Sequence, residues 1–139
     1  MMMSPLLPLV IVAGMTFSAP VPATSPACDP SGSDGQLALN ACAYDAQAAA
    51  DHALNSTWKE LLVALAGDTS ATDALRVAQR VWLQFRVAEV AAHFALEAGE
   101  NPRVVYGSIY PMHRANLLAA LTHEREAHLH MRLDDIASR

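Results

Sequence analysis

The sequence predicts an all-α protein, an antiparallel three-helix bundle preceded by a signal peptide and a short linker. Three observations carry this expectation. Apolar side chains recur at alternating spacings of three and four residues in three long segments, the signature of one helical face. No stretch alternates apolar and polar residues, and no hairpin dipeptide joins two such stretches. The segments are joined by short connections bearing Gly and Pro, which make sequential helices antiparallel neighbours. At 139 residues the chain has room for one ordinary domain. With 53% apolar and 17% charged residues it is not disordered by composition.

Residues 1–23 read as a signal peptide. No charged side chain occurs between Met1 and Ala27. Leu6 to Phe17 is a mostly apolar run, too short for a bilayer span of about 20 residues. Val21-Pro22-Ala23 is the best cleavage pattern among the small residues that follow. Met1 to Pro5 lacks Lys and Arg, so only the α-amine is positive there. Ser25 stands three residues before Cys28, where a lipidated cysteine usually has Leu. Residues 24–34 form a linker by composition. The expected location is periplasmic or secreted, with no membrane association after cleavage. An exported chain meets an oxidising compartment, and its two cysteines, Cys28 and Cys42, allow one pairing. Closing a loop of about 15 residues is worth roughly 3 kcal/mol through the unfolded chain.

Residues 35–139 form the helical domain. Ser33 and Gln36 have the spacing of a capping box, so the first helix begins there. From Gln36 it meets no Pro or Gly before Leu65. Its stripe is Tyr44, Ala48, Asp51, Asn55, Trp58, Leu62 and Leu65, and Gly67 ends it. The second helix starts near Ser70, with Asp73 in its first turn. Its stripe is Leu75, Ala78, Trp82, Phe85, Glu89, Ala92 and Leu96, and Gly99 and Pro102 stop it. The third begins near Ser108 and tolerates Pro111 in its first turn. Its stripe is Leu117, Leu121, Glu124, His128 and Met131, flanked by Leu118 and Arg125.

Several function classes fall away. A net charge of −5 disfavours a nucleic-acid surface and suits a cationic partner. His123 and His128 lie five apart, about 140° round a helix, whereas a zinc pair needs four. Ser56-Thr57-Trp58-Lys59 has the Ser-x-x-Lys spacing of penicillin-reacting enzymes but lacks their Lys-Thr-Gly element. No phosphate loop, Gly-x-Ser-x-Gly or Cys-x-x-Cys occurs. No cofactor or metal is expected, and the chain reads as a binding protein rather than an enzyme.

Polar residues interrupt the apolar stripes. Asp51 and Asn55 sit between Ala48 and Trp58, Arg86 adjoins Phe85, and Arg125 follows Leu121 by four. A buried carboxylate must be paired or neutralised. If the first hairpin turns near residue 69 or 70, facing residues sum to about 139 and Asp51 lies level with the turn from Arg86 to Glu89. If the second turns near residue 103, facing residues sum to about 207 and Arg125 faces Trp82. The main reading is a structural network of Asp51, Arg86 and Arg125 over the tryptophans. A polar pocket that binds a ligand is the rival, and plain solvent exposure is the third reading.

Asp51-x-x-Leu54-Asn55-x-x-Trp58, Leu75-Arg76-x-x-Gln79-Arg80-x-Trp82-x-x-Phe85-Arg86 and Leu121-Thr122-x-x-Arg125 together resemble the lysozyme-inhibitor LprI N-terminal-like family, small exported helical proteins of bacteria. The resemblance spans about Cys28 to Leu129, and the Leu-Arg-x-x-Gln-Arg-x-Trp-x-x-Phe-Arg block is its most specific part. Where the family typically has a second pair of cysteines, this chain has Val90 and Leu117, whose numbers sum to the value of about 207 expected for facing residues. One lost disulfide replaced by an apolar contact accounts for both departures. The resemblance implies an exported lysozyme inhibitor; an envelope scaffold or an immunity protein for another secreted protein is the alternative. An inhibitor needs a protrusion, and the segment Glu100-Asn101-Pro102-Arg103-Val104-Val105-Tyr106 is the candidate binding loop.

Overall fold

A computed structural model describes residues 35–139. The expected signal peptide, the linker and Cys28 lie outside the described residues. The described chain is all-helical: α1 (Gly35–Ala64), α2 (Thr69–His93), α3 (Pro102–Val105) and α4 (Tyr110–Ala137). No strand occurs among the described residues.

Local chemistry sets several helix ends. Gly67 adopts φ +98°, the left-handed conformation that turns the chain out of α1 at little steric cost. Asp68, two residues earlier than the expected start, caps α2 by accepting a hydrogen bond from Ala71 N at 2.9 Å. Helix α2 ends at His93, short of Gly99, so Leu96 lies beyond it. No Gly or Pro stops it. Phe94 is buried and lies edge-on to Tyr106 and Tyr110, at ring-centroid distances of 5.5 and 5.2 Å. That anchor redirects the backbone, a tertiary contact overriding helix propensity. Within the expected loop, Asn101 caps the short α3 through Arg103 N, and Pro102 opens it.

Helices α1 and α4 make the closest approach and run in the same direction. Gln36 bonds Met112 Sδ near one end, and Thr57 Oγ1 donates to Glu126 Oε1 at 2.8 Å further along. Buried residues recur every seven positions along the contact and are mostly small, Ala43, Ala50 and Thr57 on α1 and Ala115 and Thr122, then Leu129, on α4. Small side chains let the two backbones come close. Helix α2 runs back against this pair: Leu75 joins the Leu54, Leu61, Leu65 and Leu129 cluster, and Val90 and Phe94 join Leu118 at the other end. Its backbone stands off more, touching α4 closely in few places.

The buried faces therefore differ from the expected stripes by about one residue. Helix α1 buries Ala43, Ala50, Leu54, Thr57 and Leu61, while Tyr44, Ala48 and Asn55 are exposed. Helix α4 buries Ala115, Leu118, Ala119, Thr122 and Leu129, while Glu124, His128 and Met131 are exposed. The bulky residues that mark a stripe in the sequence sit on its flank, because the tight α1–α4 contact selects small residues for its centre.

Candidate functional site

Helix α2 faces inward through Leu75, Gln79, Trp82, Arg86 and Val90, so the middle of its inner face is polar. Arg86 Nη1 donates to Asp51 Oδ1 at 2.7 Å and to Thr122 Oγ1 at 2.9 Å, and its guanidinium lies 5.0 Å from the Trp82 ring centroid. Thr122 Oγ1 in turn donates to Leu118 O at 2.7 Å. One side chain thus ties all three long helices together. The Arg86 side chain is 19% exposed and the Asp51 side chain 36%, so the carboxylate still meets water.

Arg125 is placed differently. Its Nε donates to Gln79 Oε1 at 3.0 Å, and its guanidinium sits 6.0 Å from the Trp82 ring centroid. It does not bond Asp51; its Nη2 is buried without a hydrogen-bond partner among the described residues. Burial, reinforced by the charge of Arg132, pulls its pKa below the usual arginine range. Phe85 stands outside this cluster, 49% exposed on the far side of α2.

Because α2 stands away from α1, a groove of about 560 Å³ opens between them. Helix α1 lines it with Asp51, Leu54, Asn55 and Trp58, and α2 with Arg76, Gln79, Arg80, Leu83 and Arg86. Arg76 makes a loose, exposed ion pair with Asp73 at 3.4 Å, the kind worth little in water. The Arg80 side chain and the Asn55 amide make no hydrogen bond or ion pair with any described residue.

The expected binding loop is tied to itself. Glu100 Oε2 accepts from Glu97 N at 2.8 Å, Asn101 caps α3, and Tyr106 Oη donates to Ala95 O at 2.7 Å. Arg103 is left exposed, and Val104 beside it is 81% exposed. Among the described residues no three His, Cys, Asp or Glu side chains gather as a metal site, and no helix is long and apolar enough to cross a membrane. Cys42 is not free.

The polar residues of the motif blocks therefore converge on one place, with α1 and α2 on the walls and Thr122 and Arg125 bonded to α2 from α4, while Phe85 points away. A family model described as lysozyme inhibitor LprI matches residues 28–129. The chain belongs to the LprI lysozyme-inhibitor family. It is also similar to an uncharacterized protein of Rhizobium meliloti (strain 1021), 32% identical over 123 residues, 81% of this chain and 84% of that protein. No solved structure matches.

Sequence reasoning did not assign roles to Thr57, Thr122 and Glu126. A Thr within a long apolar helix is the available signal, since its hydroxyl must bond the preceding turn or a neighbouring helix when buried.

Proposed function

We propose that the protein is an exported inhibitor of a cationic lysozyme, acting in the periplasm or outside the cell through the segment from Glu100 to Tyr106. Family membership over residues 28–129 is the observation that carries this reading. The three long helices serve as an antiparallel bundle that holds the segment rigid. Its internal hydrogen bonds lower the ordering cost of binding, and it projects Arg103 and Val104 from a framework anchored by Tyr106. A lysozyme cleft carries two carboxylates flanking the scissile bond. Arg103 is suited to pair with one of them, with Val104 filling apolar space beside it. The net charge of −5 speeds encounter with a cationic enzyme.

The experiment is lysis of cell-wall suspensions by lysozyme with equimolar protein, across salt concentrations. Inhibition is expected, weaker at high salt as exposed charges are screened, and reduced at least about tenfold by Arg103→Ala with Val104→Asp. Inhibition unchanged in that variant moves the contact to another face. No inhibition of any lysozyme at large excess overturns the reading and favours the scaffold or immunity alternative.

A further inference from the structure

We propose that the α1–α2 groove is a binding site for a small organic oxyanion, held by Arg76 and Arg80 with Asn55 opposite and with an apolar body resting on Leu54, Trp58 and Leu83. The site is separate from the segment between Glu100 and Tyr106, and the inference does not depend on lysozyme inhibition.

Charge distribution is the first argument. The chain carries −5 overall, yet three arginines line this groove against one aspartate, a local formal charge of +2. A cleft of one sign focuses the field on a ligand of the other. Division of labour is the second. Arg86 is committed to Asp51, Thr122 and Trp82, so the fold needs it. Among the described residues Arg80 has no hydrogen-bond or ion-pair partner, and Arg76 has only an exposed contact with Asp73. The third is local conflict. Arg76 and Arg80 stand four apart on one helix, where like charges repel, and no acid of the groove answers them. Such a violation of the local rule is expected where a ligand supplies the missing charge.

Size and geometry narrow the ligand. A volume of about 560 Å³ lies within the range of small-molecule sites. Two guanidinium forks match the oxygens of a carboxylate or phosphate. Asn55 adds a neutral donor and acceptor, and the apolar walls suit a ring or short hydrocarbon. The overall negative charge works against a polyanion, which leaves a small anion.

The test is an NMR titration of the protein with three probes, glucuronate, N-acetylglutamate and inorganic phosphate, alongside the neutral controls glucose and N-acetylglutamine. Saturable shifts are expected at the Arg76 and Arg80 Nε–H, the Asn55 amide and the Trp58 indole with at least one anion, and with neither neutral control. Which anion acts separates an acidic sugar, an acidic amino acid and free phosphate as the source of the charge. Arg80→Gln should weaken that binding about tenfold or more while leaving the unliganded melting temperature unchanged or raised. No saturable shift with any anion up to roughly 10 mM, or shifts that persist in the Arg76→Gln, Arg80→Gln double variant, overturns the proposal. A marked fall in melting temperature in Arg80→Gln alone also overturns it, because that would make the arginine part of the fold.

Discussion

Among single residues, Arg86 and Arg125 share one tryptophan but contribute unequally to stability. Arg86 is satisfied by two side chains on two other helices. Removing it in Arg86→Ala strands Asp51 and empties the space over Trp82. Loss of a fully buried pair costs about 3–5 kcal/mol, but the Asp51 side chain is 36% exposed and water will resolvate it. The expected loss is therefore about 2 kcal/mol, within the range for hydrogen bonds to charged groups. Arg125 carries a buried donor with no partner, so an apolar side chain of similar length replaces it at little loss. Arg125→Met should change stability by less than about 1 kcal/mol in either direction. Arg103→Ala, on the exposed short helix, should stay within about 0.5 kcal/mol. Urea midpoints at constant m-value measure all three, and equal shifts for Arg86→Ala and Arg125→Met would contradict this assignment.

At the scale of elements, the pairing of α2 with α4 explains how the fold does without the second disulfide that its family resemblance implies. Val90 is buried with Phe94 and Leu118, and Leu117 packs against that cluster. Burying such side chains contributes roughly 1.5–3 kcal/mol each, comparable with a typical disulfide at about 2–4 kcal/mol. The double variant Val90→Cys with Leu117→Cys should crosslink under oxidising conditions and raise the melting temperature. Quantitative alkylation of both thiols after oxidation would mean that their Cα atoms lie beyond the roughly 7 Å that a disulfide spans.

At the scale of the whole molecule, the described bundle is joined to an uncharged N-terminal segment through Cys28 and the linker. A Cys28–Cys42 bridge would pin that linker to α1. Non-reducing mass spectrometry of the protein made in an oxidising compartment should find no free thiol and a mass lower than the reduced chain by two hydrogen atoms. Two alkylatable thiols, or a mature start after Cys28, would remove the bridge. The bridge would restrain the N-terminal end of α1, whereas the groove lies further along that helix. Reduction should therefore lower stability with little effect on anion binding.

Much of the architecture is readable from local signals. Gly67 marks the first turn, and the apolar spacing marks three long helices, because helix termination and periodicity act within a few residues; the cap at Asp68 was not read from the sequence. Even the level of contacts is legible: turn positions alone put Arg86 beside Asp51 and Arg125 beside Trp82, and the geometry has them at 2.7 and 6.0 Å. Local signals thus fix roughly where the three long helices run and which of their residues stand at equal height, but not the end of α2 at His93 or the short α3. Which face each helix buries was decided by the tertiary structure. Periodicity sets spacing but barely separates two neighbouring faces, and the choice falls to the helix pair that approaches most closely. Here Ala43, Ala50, Ala115 and Thr122 admit a close α1–α4 contact. That contact turns the bulkier stripes to the flanks and leaves α2 standing off. The groove exists because α2 stands off from α1, a relation between helices that no local signal in either one encodes.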